Sequence, residues 1–263
     1  MSGRQGSMNR PTQDVRVAVV SDIHGNLPAL QAVAQDIARR GCDLVLDCGD
    51  LLSGPLWPAE TLAWLRQRAW PTVAGNHERQ LLACALRPGD RADMLAFEAL
   101  GADELQWLRA LPAELQPLPG VLMFHGRPGD DLEYLLESVG ADAGPLGARL
   151  ADPAQIRERL GALEAPPELV LCGHSHQPRA VRLDRTVIVN PGSVGLPAFD
   201  DDHGGYHRIE TGSPHARYAM CERLAGRWNV ALIAVDYPWD QAADKAADAG
   251  MADWARWLRS GRA

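Results

Sequence analysis

The chain has 263 residues, 46% hydrophobic and 23% charged, with a formal net charge of −8. That composition is ordinary for a globular protein and argues against a fibrous or disordered chain, and no run approaches the ~18 unbroken apolar residues of a membrane-spanning helix. The acidic balance repels phosphate backbones at long range, which argues against general nucleic-acid binding but leaves room for an anionic substrate at a local site that carries metal.

In chain order, residues 1–14 are polar, lack the apolar core of a signal peptide and read as a flexible tail, so a cytoplasmic location is expected. Val15 to Val20 reads as a buried strand and Leu27 to Arg40 as a helix, with Leu30, Val33, Ala34 and Ile37 at helical spacing and Gly41 as its stop. Leu44 to Cys48 is the next strand, Pro58 to Arg68 the next helix, and Thr72 to Ala74 a very short strand before a helix that begins near His77. Arg91 to Leu111 reads as mostly helical, within an insertion around 88–118. Gly120 to Phe124 is a strand, Asp131 to Ser138 and Ala154 to Leu163 are helices, and Leu169 to Cys172 is a strand. Ala180 to Leu183, Thr186 to Val189, Ala216 to Arg223 and Trp228 to Tyr237 then follow as strands, and one helix from Gln241 to Arg259 closes the chain. No linker, repeat or low-complexity tract divides it, so residues 15–263 are expected to form a single α/β domain built on two sheets. Five cysteines without a C-x-x-C pair are expected to be reduced and mostly buried.

Polar residues gather just past the predicted strands: Asp22 and His24, then Gly49 and Asp50, then Gly75 to Glu78, then His125 and Gly126, then Gly173 to His176. Open α/β sheets bind ligands at the carboxyl ends of their strands, so these segments should converge. Asp-x-His is expected about 0.7 times by chance and recurs at Asp201 to His203, so alone it means nothing. Gly-Asn-His and Gly-His-x-His are expected only about 0.014 and 0.02 times. The set holds five of the eight histidines, which core packing does not explain.

Carboxylates and imidazoles converging without partners are costly, and a cation resolves the cost. The donor set suits manganese, iron, nickel or zinc, and the lack of thiolates favours an open catalytic site over a closed structural one. More donors are present than one ion needs, so two divalent or trivalent metal ions are expected, bridged by a carboxylate at about 3.5–4 Å.

The order Asp-x-His, Gly-Asp, Gly-Asn-His-Glu, His-Gly, Gly-His-x-His resembles the calcineurin-like metallophosphoesterase superfamily over Val17 to about Gly195. The runs Asp22 to Leu27 and Asn190-Pro191-Gly192-Ser193 also resemble its small bacterial phosphodiesterase branch. The resemblance implies a four-layer α-β-β-α sandwich of two mixed sheets flanked by helices. It implies one metal held by Asp22, His24, Asp50 and His176, and a second held by Asp50, Asn76, His125 and His174. His77 would contact the phosphoryl oxygen or protonate the leaving group, so the implied catalytic residues are His77, Asp50 and Asn76. The implied activity is hydrolysis of small phosphodiesters, nucleotides among them, by attack of a metal-bridging hydroxide.

Departures narrow this expectation. Where branches of the family carry Gly-Asp-x-x-Asp-Arg-Gly, Ser53 replaces the aspartate that would orient His77 and Gly54 the arginine that would grip phosphate. Glu78 is a candidate to orient His77 instead, and Arg127 a candidate phosphate contact with surface solvation as its other reading. Asn190 to Ser193 could aim backbone N–H groups at an anion or form a tight turn. Asp200 to Asp202 with His203 read as a solvated loop, with a loose cation site as the other reading, and His207 and His215 read as surface residues. Trp254, Trp257 and Leu258 share a helical face, with packing onto the sheet as one reading and a homo-oligomer contact as the other. The insertion could roof the pocket and select the leaving group. A non-catalytic metal-binding scaffold for protein interaction, a phosphomonoesterase and a nuclease remain as alternatives. The nuclease would want a basic groove or stacking aromatics.

Overall fold

The computed structural model describes residues 14–163 and 165–263. The tail expected at 1–14 lies outside them except for Asp14, whose Oδ1 accepts a hydrogen bond from the Ala225 N–H at 3.0 Å.

The first half alternates strand and helix: β1 (Val15–Val20), α1 (Leu27–Arg40), β2 (Leu44–Asp47), α2 (Pro58–Arg66), α3 (Asn76–Ala83), α4 (Arg91–Glu98) and α5 (Ala102–Arg109). Next come β3 (Glu114–Leu118), β4 (Val121–Phe124), β5 (Glu137–Val139), β6 (Ala148–Leu150), α6 (Pro153–Leu160) and β7 (Leu169–Leu171). The remainder is β8 (Arg179–Leu183), β9 (Thr186–Asn190), β10 (Ala198–Asp201), β11 (His207–Glu210), β12 (Ala216–Leu224), β13 (Arg227–Val235), α7 (Trp239–Asp248) and α8 (Ala252–Ser260). No helix of the described residues is long and apolar enough to cross a membrane.

Two mixed sheets face each other, one in the order β13-β12-β1-β2 and the other β3-β4-β7-β9-β8. The pairs β1–β2, β4–β7 and β7–β9 are parallel. The period-2 alternation of side chains explains the layers. Val17, Val19, Leu169, Leu171, Val187 and Val189 meet between the sheets, with Cys48 and Cys221 among them. Ala18 and Val20 turn the other way, onto the buried faces of α1, α7 and α8, while Val170 and Ile188 turn onto α6. The result is the four-layer α-β-β-α order.

Three segments differ from the sequence expectation. Asp131 to Ser138 is irregular chain running into β5, because its carbonyls serve distant partners: Leu132 accepts from His174, and Leu135 and Glu137 accept from Arg159. The closing helix is two helices, broken at Gly250, which adopts a left-handed φ of 74°. Thr72 makes only an isolated bridge to Asp47. Strands β3, β6, β10 and β11 lie where no strand was expected, and β10 takes in Asp200 and Asp201 from the expected loop.

Candidate metal centre

The loops after β1, β2, β4 and β7, and the N-terminus of α3, meet at the carboxyl edge of the parallel strands of both sheets. Backbone bonds zip the first two loops together, with Asp22 N–H donating to the Gly49 carbonyl at 2.9 Å and His24 N–H to the Asp50 carbonyl at 3.1 Å. Eight non-glycine residues among those described have positive φ, and five are Asp22 (55°), His24 (50°), Asp50 (58°), His174 (68°) and His176 (52°). Left-handed backbone costs an L-residue ~1–2 kcal/mol, and it persists where the surroundings over-determine it, which is characteristic of functional sites. The motif glycines follow from the same crowding. A Cβ at Gly75 would collide with the Asp50 carboxylate, one at Gly173 with the Ser21 hydroxyl, and one at Gly195 with the Ile23 carbonyl.

The side chains form two adjoining groups, Asp22 with His24 and His176, and Asp50 with His125 and His174, every member buried. In the first group, Nε2 of His24 and Nε2 of His176 face each other at 3.2 Å, and Asp22 Oδ1 is 3.3 Å from the latter. In the second, His125 Nε2 lies 3.0 Å from Asp50 Oδ2 and 3.1 Å from Asn76 Oδ1. Asn76 donates its amide to Gln80 Oε1 at 3.1 Å, which turns its oxygen toward the site.

Backbone carbonyls fix which nitrogen of each ring is free, because a carbonyl only accepts. Nδ1–H of His24, His125 and His176 donates to the carbonyls of Ser53 (2.9 Å), Cys48 (2.7 Å) and Leu196 (2.7 Å). His174 is reversed, its Nε2–H donating to the Leu132 carbonyl at 2.9 Å, which leaves Nδ1. Lone pairs of imidazole, carboxylate and amide therefore converge, and the buried Asp22 Oδ2 has no partner among the described residues.

Protons only partly relieve this convergence. Burial and then the neighbouring His176 pull His24 down to about 3, and burial with His125 pulls His174 down to about 4. Burial acts the same way on His125, but Asp50 outweighs it and raises that imidazole to about 10. Burial would raise the carboxyl of Asp50, yet His125 and His77 hold it well below the usual range. His77 is likewise opposed by burial and carried up to about 9 by Asp50 and Asp93. Cations would satisfy every donor atom at once, so the residues present fit a metal centre.

The supports are of three kinds. Glu78 does not reach His77; its buried carboxylate accepts from the N–H groups of Asp50 (2.9 Å), Leu51 (2.9 Å) and Gly75 (2.8 Å), fastening the Asp50 loop to α3. Asn190 to Ser193 forms a buried turn that braces ligand loops: the Asn190 amide donates to the Gly173 carbonyl at 2.6 Å and Ser193 Oγ to the Asp22 carbonyl at 2.7 Å. His207, expected at the surface, is fully buried; it accepts from the Tyr134 hydroxyl at 2.9 Å, and the Tyr134 ring packs on His174 at 4.6 Å. Capping-box chemistry could have flagged Glu78, three residues past Gly75.

The site opens into a cavity of about 960 Å³ lined by His24, Asp50, Asn76, His77, His174 and His176 among others. One wall comes from α3, α4 and the turn between them with Arg79, Arg91 and Arg87, the other from β10, α8 and the residue before α8 with Phe199, Trp254 and Met251. Arg127 is not part of the lining; it is paired with Glu133 and, at 3.3 Å, with Asp130. Trp254 packs edge-on to His24 with ring centroids 5.8 Å apart, and a Cβ on Gly54 would lie 2.8 Å from its ring.

Residues 15–213 match the calcineurin-like phosphoesterase superfamily domain. The chain belongs to this superfamily. A crystal structure of a metallophosphoesterase from Sphaerobacter thermophilus superimposes with a TM-score of 0.68 at 24% identity, covering 94% of this chain and 98% of that one. The hypothetical protein PH1004 of Pyrococcus horikoshii superimposes with the same TM-score at 18% identity and the same coverage. An uncharacterized protein of Methanocaldococcus jannaschii, MJ0912, is 27% identical over 206 residues, 69% of this chain and 76% of its own length. The superfamily domain ends before β12, β13, α7 and α8 begin, so Trp254 comes from chain beyond it.

Proposed function

We propose that the protein is a metal-dependent phosphodiesterase of small substrates, nucleotides among them. Asp22, His24, Asp50 and His176 hold one ion, and Asp50, Asn76, His125 and His174 a second, with Asp50 shared. Such ions supply hydroxide near neutral pH and positive charge for the phosphoryl oxygens. Glu78 holds Asp50 in the shared position, and the carbonyls of Ser53, Cys48, Leu196 and Leu132 keep each ring nitrogen aimed inward. His77 lines the cavity beside His24, ring centroids 5.3 Å apart, and protonates the departing oxygen.

The observation that carries the diester preference is the wall beside His24. Gly54 has no side chain, and the Trp254 indole fills the space next to it. An indole makes no charge-assisted pair with phosphate. A diester with one negative charge suits that wall better than a doubly charged monoester. The cavity of about 960 Å³ also has room for substituents on both sides of phosphorus.

The test is turnover by metal-stripped protein reloaded with manganese, comparing bis-(p-nitrophenyl) phosphate with p-nitrophenyl phosphate, with Asp50→Asn as control. The reading expects metal-dependent cleavage that favours the diester and vanishes in the variant. No turnover of either ester by protein that retains its metal would replace it with a non-catalytic scaffold.

A further inference from the structure

Asp93 lies on α4, in the segment between the Asn76 loop and β3. Its side chain is 3% exposed, and Oδ1 is 2.7 Å from His77 Nδ1. A carboxylate facing that nitrogen accepts its proton, so Nδ1–H is committed to Asp93, and it is the Nε2–H of the protonated ring that faces the cavity for donation to the departing oxygen.

The helix is held there through its first turn. Gly54 N–H donates to the carbonyl of Ala92, the peptide before Asp93, at 3.1 Å. Asp90 caps α4 by accepting from Ala92 N–H at 2.8 Å. Arg91 donates to the Ala249 carbonyl at 2.7 Å, joining the start of α4 to the turn before α8. Ser53, next to Gly54, offers His24 only its carbonyl, and its buried hydroxyl has no partner among the described residues. The loop after β2 thus gives His77 a carboxylate only at its backbone N–H, which donates to Asp50 Oδ1 at 3.0 Å, and it docks the helix whose carboxylate meets the ring.

We propose that Asp93 is the positioning residue for His77, holding the imidazole so that Nε2 meets the departing oxygen. The proposal rests on the phosphodiesterase reading and adds a residue that no family motif in this chain contains. Its consequence is that α4 belongs to the reaction machinery and is more than a roof over the cavity. Loss of the hold lets the ring turn, and a displacement of about 1 Å at a reacting group costs on the order of 10²-fold in rate.

The experiment uses the full chain and two readouts. In zinc-loaded protein, imidazole ¹⁵N–¹H spectra, with His77 assigned through His77→Ala, should show a protected Nδ1–H in the wild type and in Asp93→Asn. That signal should disappear in Asp93→Ala. In manganese-loaded protein, Asp93→Ala should lower kcat on a diester with an alkyl leaving group by about 10²-fold. KM should stay within about twofold and bound metal should be unchanged, because Asp93 touches neither substrate nor ligand. Asp93→Asn, which still accepts the hydrogen bond, should retain more activity than Asp93→Ala. The double variant His77→Ala/Asp93→Ala should be no slower than His77→Ala alone. An unchanged Nδ1–H in Asp93→Ala, or rate losses that add in the double variant, overturns the proposal. If the wild type cleaves neither ester, it is the phosphodiesterase reading that fails, and the imidazole spectrum still decides whether Asp93 holds His77.

Discussion

The five motif loops and two of the helices that wall the cavity, α4 and α8, are specified in different ways. The loops carry their own instructions between them: left-handed backbone at Asp22, His24, Asp50, His174 and His176, glycines where another loop crosses within contact distance, and ring nitrogens of His24, His125, His174 and His176 tied to nearby carbonyls. The walls depend on chain that arrives from elsewhere. Helix α4 is docked through Gly54 and Ala92, and α8 through Trp254 against the bare backbone of Gly54. Chemistry that recurs in a family can stay in the loops while the walls, and with them the choice of substrate, change.

The largest effect should come from the loops. Asp50→Asn removes the carboxylate proposed to be shared by the two ions, and turnover should fall to background with loss of at least one bound metal, read by mass spectrometry and the diester assay. Retention of full metal content would show that the loops do not depend on that oxygen. Trp254→Ala should come next, costing about 3–5 kcal/mol in denaturant unfolding because a large buried ring is lost. If the walls select substrate, this variant should also change the diester-to-monoester ratio while metal content is preserved. Gly75→Ala forces a Cβ into the Asp50 carboxylate. It should cost about 1–3 kcal/mol of stability and weaken metal binding, whereas the same exchange at Gly129, which has open space around it, should leave metal binding alone.

The smallest effect at any one pH step is a pH dependence. Without metal, His125 is held up to about 10 and so carries a second proton at neutral pH. An ion entering the Asp50 group must displace that proton, so apparent affinity should rise with pH below about 10, by about tenfold per unit for one proton released. Calorimetry in buffers of different ionisation enthalpy measures the release. Affinity independent of pH between 6 and 9 would contradict the raised imidazole.

What the sequence made legible follows the same division. The ligand candidates stood out because rare combinations such as Gly-Asn-His sat behind apolar strands, and the structure brings Asp22, His24, Asp50, Asn76, His125, His174 and His176 together. Asp93 had no such signal, since a lone aspartate in an amphipathic helix looks like any solvated residue until the helix is docked. Asp131 to Ser138 misled for a related reason: helical spacing cannot reveal that its carbonyls are claimed by His174 and Arg159. The break between α7 and α8 was readable in principle, because Gly250 interrupts an otherwise helical pattern.

The proposed function requires two ions that share Asp50. Anomalous diffraction from crystals grown with manganese tests that most directly. The prediction is two peaks about 3.5–4 Å apart, one among Asp22, His24 and His176 and one among Asn76, His125 and His174, with Asp50 between them. A single peak, or peaks away from these residues, would contradict it.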